Sequence, residues 1–266
     1  MNYFITGDTH RNFNRFGAIG RMPNTAIIIL GDAGINFTLD KDDYDFKRSI
    51  ARKYTATFYC VRGNHEARPG DIEGMKLVWD DSVQGEVWME SEFPTIRYFK
   101  DWGVYYIDGL RTLVIGGAYS VDKHYRLARG AQWFENEQLS EQERAECARM
   151  VLMRPQFDLV LSHTCPRSLQ PTDFFLGSID QSLVDSSTEE WMEQLARRMS
   201  WKAWLWGHYH VDRIEWPHCE IFYNEIEPLL DILMRWKKYD ETKELDWWLP
   251  LSPRMKRIME DENEVV

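Results

Sequence analysis

The chain has 266 residues, with 32 Lys and Arg against 43 Asp and Glu, a formal net charge of −11. That length fits one large domain, or one domain with an appendage, and 44% hydrophobic with 28% charged residues excludes wholesale disorder. The acidic balance excludes a nucleic-acid binder with a broad basic surface but leaves room for a metal site that attracts phosphate locally, and 12 Trp favour a large packed core or an aromatic-lined cleft.

The first residues, Met1 to Thr6, run straight into a strand-like segment with no basic stretch leading into an apolar one. No targeting segment is therefore expected. The apolar run Ala26 to Leu30 is far shorter than the ~18 residues of a membrane span, so a cytoplasmic chain with no membrane partner is expected. Strand-length runs rich in β-branched and aromatic residues lie at Tyr3–Thr6, Ala26–Leu30, Thr57–Val61, Val104–Ile107, Thr112–Ile115, Leu159–Ser162, Ala203–Trp206 and Ile221–Tyr223. Helices are predicted between several of them. One covers about Asp43–Tyr54. A second, Glu141–Met153, opens on the capping box Ser140/Glu143 and stops before Pro155; a third, about Thr188–Met199, opens on Ser187/Glu190 with Trp191, Leu195 and Met199 on one stripe. Strands alternating with helices predict an α/β layered domain. Cys60, Cys147, Cys165 and Cys219 are scattered without a CxxC pair, as expected of reduced thiols.

The end of the chain changes character, which predicts a main domain over 1–230 and a charged extension over 231–266. In the extension, Trp247-Trp248-Leu249-Pro250 is expected to dock on the main domain or equally to meet a partner, and the acidic run Glu260 to Glu264 to be solvated.

The chemistry lies at the strand ends. Of the seven histidines, His10, His65, His163, His208 and His210 each follow a strand-like run within a few residues, as do Asp8 and Asp32. In open α/β sheets, loops leaving the carboxyl ends of successive strands converge on one crevice. They would carry Gly7-Asp8-Thr9-His10, Gly31-Asp32, Gly63-Asn64-His65-Glu66, Ser162-His163 and Gly207-His208-Tyr209-His210 to a common rim. Aspartate and asparagine oxygen with imidazole nitrogen is a donor set for divalent Mn, Fe, Zn or Co. These donors are too many for one tetrahedral zinc and suit two metals ~3.5–4 Å apart sharing a carboxylate. Each motif alone is common by chance; all of them in one order, at strand ends, are not.

In that order the motifs resemble the calcineurin-like metallophosphoesterase superfamily, with the resemblance running from Asp8 to His210. It implies a four-layer α/β/β/α sandwich that hydrolyses a phosphoester substrate by a dimetal-activated water. By the same resemblance Asp8, His10 and His210 would hold the first of two divalent metal ions and Asp32 would bridge. Asn64, His163 and His208 would hold the second, and His65 would be catalytic, not a ligand but the group facing the substrate or the leaving oxygen. Glu66 is expected to orient His65 or a ligand.

Departures bear on the substrate. The protein Ser/Thr phosphatase branch resembles Gly-Asp-x-His-Gly and carries an arginine soon after the second aspartate; here Arg11 stands at the glycine, and Gly31 to Asn36 has no arginine. The stretch Gly116-Gly117-Ala118-Tyr119-Ser120 with Arg126 downstream, and Ser162-His163-Thr164-Cys165-Pro166-Arg167, are similar to segments of RNA lariat debranching enzymes. Together these favour a phosphodiester or a small phosphorylated molecule, with Lys123 and Arg126 on a loop offering cationic contacts to the substrate. Alternatives are a phosphomonoesterase of the protein-phosphatase kind and a non-catalytic scaffold of the same fold.

Overall fold

The computed structural model describes residues 1–245 and 249–264. In chain order the strands are β1 (Asn2–Thr6), β2 (Thr25–Ile29), β3 (Thr57–Cys60), β4 (Met75–Asp80), β5 (Gly85–Glu90), β6 (Ile96–Phe99), β7 (Trp102–Ile107), β8 (Leu110–Ile115), β9 (Leu159–Ser162), β10 (Ala203–Trp206), β11 (Arg213–Trp216), β12 (Cys219–Ile221) and β13 (Glu227–Pro228). The helices are α1 (Lys41–Lys53), α2 (Lys123–Arg129), α3 (Glu141–Met153), α4 (Ser187–Ala196), α5 (Leu229–Thr242) and α6 (Pro253–Glu264).

The strands form two sheets, ordered β13-β1-β2-β3-β6-β5-β4 and β11-β12-β10-β9-β8-β7. Side chains alternate across a strand, so each continuous apolar run feeds two cores. Ile28, Tyr59, Val114, Leu161 and Leu205 meet between the sheets. Ile27, Ile29, Phe58 and Cys60 face outward under Ile50 and Tyr54 at the α1 end. Leu113, Val160, Trp204 and Trp206 face outward under Cys147 and Val151 of α3 and Met192 and Leu195 of α4. Helix, sheet, sheet and helix stack as four layers, the α/β/β/α sandwich expected. Strands buried on both faces explain why these runs read as unbroken apolar segments.

Strands β1, β2, β3 and β6 are mutually parallel, as are β8, β9, β10 and β12. All four cysteines are free and buried. Among the described residues no helix is long and apolar enough to cross a membrane.

Several expectations are revised. Lys123 and Arg126 sit on helix α2, not on a loop, closed by the left-handed Gly130. Helix α1 begins earlier than expected, where Asp40 accepts the Asp42 N–H. Helix α3, by contrast, has the expected bounds and the expected capping box between Ser140 and Glu143. Helix α4 ends at Ala196, and Ser187 does not cap it: the Ser187 N–H donates to Asp185 Oδ1 at 2.9 Å. The expected division after residue 230 falls inside α5, whose Leu229, Ile232, Trp236 and Tyr239 enter the inter-sheet core with Met255 of α6. Glu260 and Asp261 are exposed but helical, while Trp247 and Trp248 lie outside the described residues.

Candidate metal centre

The loops leaving β1, β2, β3, β9 and β10 bring their polar residues to one edge shared by the two sheets. Asp8 is buried, and its Oδ2 accepts the His208 N–H at 2.7 Å although 200 residues separate the two. His10 Nε2 lies 2.9 Å from His210 Nε2. Asp32, also buried, accepts the His65 N–H at Oδ1 (3.0 Å), and that oxygen is 3.8 Å from His163 Nε2. Asn64 Oδ1 lies 2.7 Å from His163 Nε2 and 3.1 Å from His208 Nδ1. The donors of Asp8, His10 and His210 form one cluster, and those of Asp8, Asp32 and His163 another, each within 4.8 Å.

The backbone is bent hard to achieve this. His10, Asp32, His208 and His210 all have positive φ, at 42°, 44°, 68° and 51°, a region costly for non-glycine residues and frequent at functional sites. The glycines make room for ligands from neighbouring loops. A Cβ on Gly31 would lie 1.9 Å from His163 Nδ1, and one on Gly63 would lie 1.9 Å from Asp32 Oδ1.

Electrostatics show what the cluster accommodates. Burial and then repulsion from Asp32 push the Asp8 carboxyl well above its usual range. Burial would raise Asp32 too, but His163, His65 and His10 hold it well below. Burial lowers His163 and His208, and pushes His210 down to about 4. Neutral imidazoles are the metal-binding form. His163 Nδ1 lies 2.9 Å from the Leu30 carbonyl, which can only accept, so Nδ1 carries the hydrogen and Nε2 offers a lone pair. That lone pair faces the Asn64 carbonyl oxygen, whose own amide group donates to Ser120 Oγ at 2.8 Å. Two acceptors aimed at one point, beside a buried Asp8 Oδ1 with no hydrogen-bond partner, are the arrangement a cation resolves. With oxygen and nitrogen donors and no thiolate, the residues present fit divalent metal ions.

His65 stands at the rim, its Nε2 4.0 Å from Asp32 Oδ2 and 3.4 Å from Arg126 Nη2. Arg126 is held by Asp122, at 2.7 Å. The structure thus brings Arg126 to the centre, whereas Lys123 turns over the Trp133 ring, 4.2 Å from its centroid. Arg11 is drawn off to Asp43 at 2.9 Å. Glu66 touches neither His65 nor a ligand side chain through its hydrogen bonds. It accepts the Gly34 N–H at 2.6 Å and the Gly63 N–H at 3.4 Å, tying together the loops that carry Asp32 and Asn64. Burial and then Asp32 push its carboxyl up to about 7.

Sequence reasoning missed the residues that aim Asn64. Ser120 donates to buried Glu137, which also accepts from the Ser120 N–H (3.0 Å) and from Trp133 Nε1 (2.8 Å). The Gly116 to Ser120 stretch was visible, but Glu137 lies beyond α2 with no motif of its own.

A sequence search of curated proteins finds no match. Among solved structures, the chain is similar to the phosphopantetheinyl hydrolase of Mycobacterium tuberculosis, at 13% identity over 91% of this chain and 93% of that one, with a TM-score of 0.44. It is also similar to a 5′-nucleotidase precursor of Thermus thermophilus, at 15% identity over 82% of this chain and 43% of that one, with a TM-score of 0.37. A sequence model of the calcineurin-like phosphoesterases matches residues 1–212, the span that builds both sheets' parallel strands up to the His208/His210 loop. The chain belongs to the calcineurin-like phosphoesterase family and is a metal-dependent phosphoester hydrolase.

Proposed function

We propose that this chain hydrolyses a phosphodiester or a small phosphorylated molecule, with Asp8, His10 and His210 holding one divalent metal ion, Asn64, His163 and His208 a second, and Asp32 shared between them. The observation that carries this is the meeting of unprotonated His163 Nε2 with Asn64 Oδ1 at 2.7 Å beside the unpartnered Asp8 oxygen. When bound, two such cations supply Lewis acidity that offsets phosphoryl charge and readies a water for attack. The chain's own residues do the rest. His65, its backbone fixed on Asp32 and its ring at the rim, delivers a proton or hydrogen bond to the leaving oxygen. Arg126, anchored by Asp122, sets a fixed positive charge beside that ring for phosphate oxygens. Ser120 and Glu137 keep the Asn64 carbonyl turned inward.

Protein stripped of metal by chelation, checked by elemental analysis and reconstituted separately with Mn, Fe, Zn or Co, is the test. Hydrolysis of bis(p-nitrophenyl) phosphate should vanish on stripping and return on reconstitution; full activity of metal-free protein would sink the mechanism. The absence of an arginine between Asp32 and Asn36 supports a diester. A second reading, a phosphomonoesterase, draws on Arg126, whose place beside His65 provides the extra cation that a monoester dianion rewards. A higher kcat/KM on p-nitrophenyl phosphate than on the diester would select it.

A further inference from the structure

The metal centre opens into a cavity of about 460 Å³ that runs from Asn64, His65 and His210 to the segment preceding α4. That size is typical of a small-molecule pocket. Its apolar lining is Phe174, Phe175, Leu176, Ile179 and Val184, with Tyr119 and Val121. Phe174 and Leu176 remain 52% and 64% exposed, with the Phe174 ring also under the Arg213 guanidinium at 4.8 Å, and together they form an apolar rim to the cavity. The polar groups of this lining are largely engaged with one another. The Thr164 hydroxyl donates to Glu189 at 2.8 Å and lies 3.0 Å from the Tyr209 hydroxyl, to which Gln170 donates at 3.1 Å. The ionisable groups of this part of the lining are the carboxyls of Asp122, paired with Arg126 at 2.7 Å, of Asp185, and of Glu189, which burial pushes up to about 7; among the described residues no lysine or arginine lines the cavity.

From this we infer that the cavity receives the organic part of the substrate and selects an uncharged apolar group, aromatic or branched aliphatic, against one bearing a further phosphate or carboxylate. The inference rests on the proposed hydrolase reading of the adjoining centre. The cavity is continuous with the residues that face the phosphoryl group, so an ester bound there must place one organic arm along the Phe174–Val184 wall. An apolar arm gains by leaving water, whereas an anionic arm along the Phe174–Val184 wall would meet Asp185, and Glu189 where it is ionised, with no lysine or arginine among the lining residues there to pair with. A polynucleotide or a phosphoprotein loop carries charge and bulk that this enclosed, acidic and apolar space does not serve.

Calorimetric titration of manganese-loaded protein with methylphosphonate, phenylphosphonate and 4-carboxyphenylphosphonate tests this without depending on leaving-group reactivity. Phenylphosphonate should bind at least ~10-fold more tightly than methylphosphonate, as burial of one ring predicts. The added carboxylate should erase that gain. Leu176→Asp, at an exposed position, should reduce the phenyl-to-methyl ratio to below about threefold, and Phe174→Ser should act in the same direction. Equal affinities for the phenyl and methyl compounds, tighter binding of the carboxylate, or no phosphonate binding at all would overturn the inference. Hydrolysis of bis(p-nitrophenyl) phosphate by the same loaded sample separates the two readings. A phenyl preference with hydrolysis of neither this diester nor p-nitrophenyl phosphate removes the hydrolase reading alone, and hydrolysis with equal phosphonate affinities removes the cavity inference alone.

Discussion

The protein buries two pairs of carboxylates where its sheets meet, and treats them oppositely. Glu220 on β12 and Glu227 on β13 share the guanidinium of Arg235 from α5, which reaches both. Burial still pushes Glu220 up to about 7, but Arg235 works against it. Asp8 and Asp32 face each other across the metal centre, and among the described residues no lysine or arginine pairs with either. Arg15, the guanidinium beside Asp8, donates instead to the carbonyls of Gly7 and Tyr223 and to Thr6 Oγ1. The same chemical problem is closed by protein in one place and left to an exchangeable cation in the other. A buried acid pair with its own arginine is architecture; one surrounded by neutral imidazoles is a binding site.

Asp32→Asn breaks the second arrangement most severely. Hydrolysis should fall at least ~10³-fold as both metals are lost together, checked by elemental analysis beside kinetics; two metals retained at full occupancy would place the shared carboxylate elsewhere. His65→Ala separates chemistry from metal holding. It should lower kcat by ~10²–10⁴ with metal content unchanged, and metal loss in step with activity would make His65 a ligand. Arg235→Met is the counterpart on the structural side, leaving Glu220 and Glu227 buried without their cation. Urea unfolding should show a loss of about 3–5 kcal/mol, while metal content per folded protein stays as in the parent.

The smallest effect concerns pH. Glu66 has its carboxyl near 7 in the folded chain against the usual 4.5. Below pH 4.5 it is protonated folded or unfolded and adds no pH dependence. Between 4.5 and 7 the unfolded chain releases the proton while the folded chain keeps it, so stability falls as pH rises. In metal-free protein, the stability of the parent relative to Glu66→Gln should therefore drop by about 3 kcal/mol across that window and level off above it. A flat difference between pH 4.5 and 7 would mean that Asp32 and burial do not perturb Glu66.

Much of the centre was legible because each donor follows an apolar run and a tight turn, a local pattern that needs no knowledge of partners. The central strands were legible for the same reason, since Ile27 and Ile28 face two different cores and both must be apolar. Strands β4, β5, β6, β11 and β13 were missed, β4 and β5 most instructively. Their Lys76, Glu86 and exposed Trp79 alternate with smaller apolar residues at the sheet's edge, so they form no continuous run. The contact of Arg126 with His65 was hidden because it depends on α2 standing as a helix, and the cavity wall because residues 171–186 have no regular period. The embedding of α5 was readable in hindsight: Leu229, Ile232, Trp236 and Tyr239 are spaced as one helical stripe.

His10 and His210 touch across 200 residues, one following the first strand of the larger sheet and the other following β10 of the smaller. Each sheet has an outer core of its own beside the one the two share. A cation held by both loops would resist their separation, so occupancy would couple the two halves more tightly into one cooperative unit. Metal-loaded protein should lose the protection of amides in both sheets in a single step, whereas stripped protein allows one sheet to open ahead of the other.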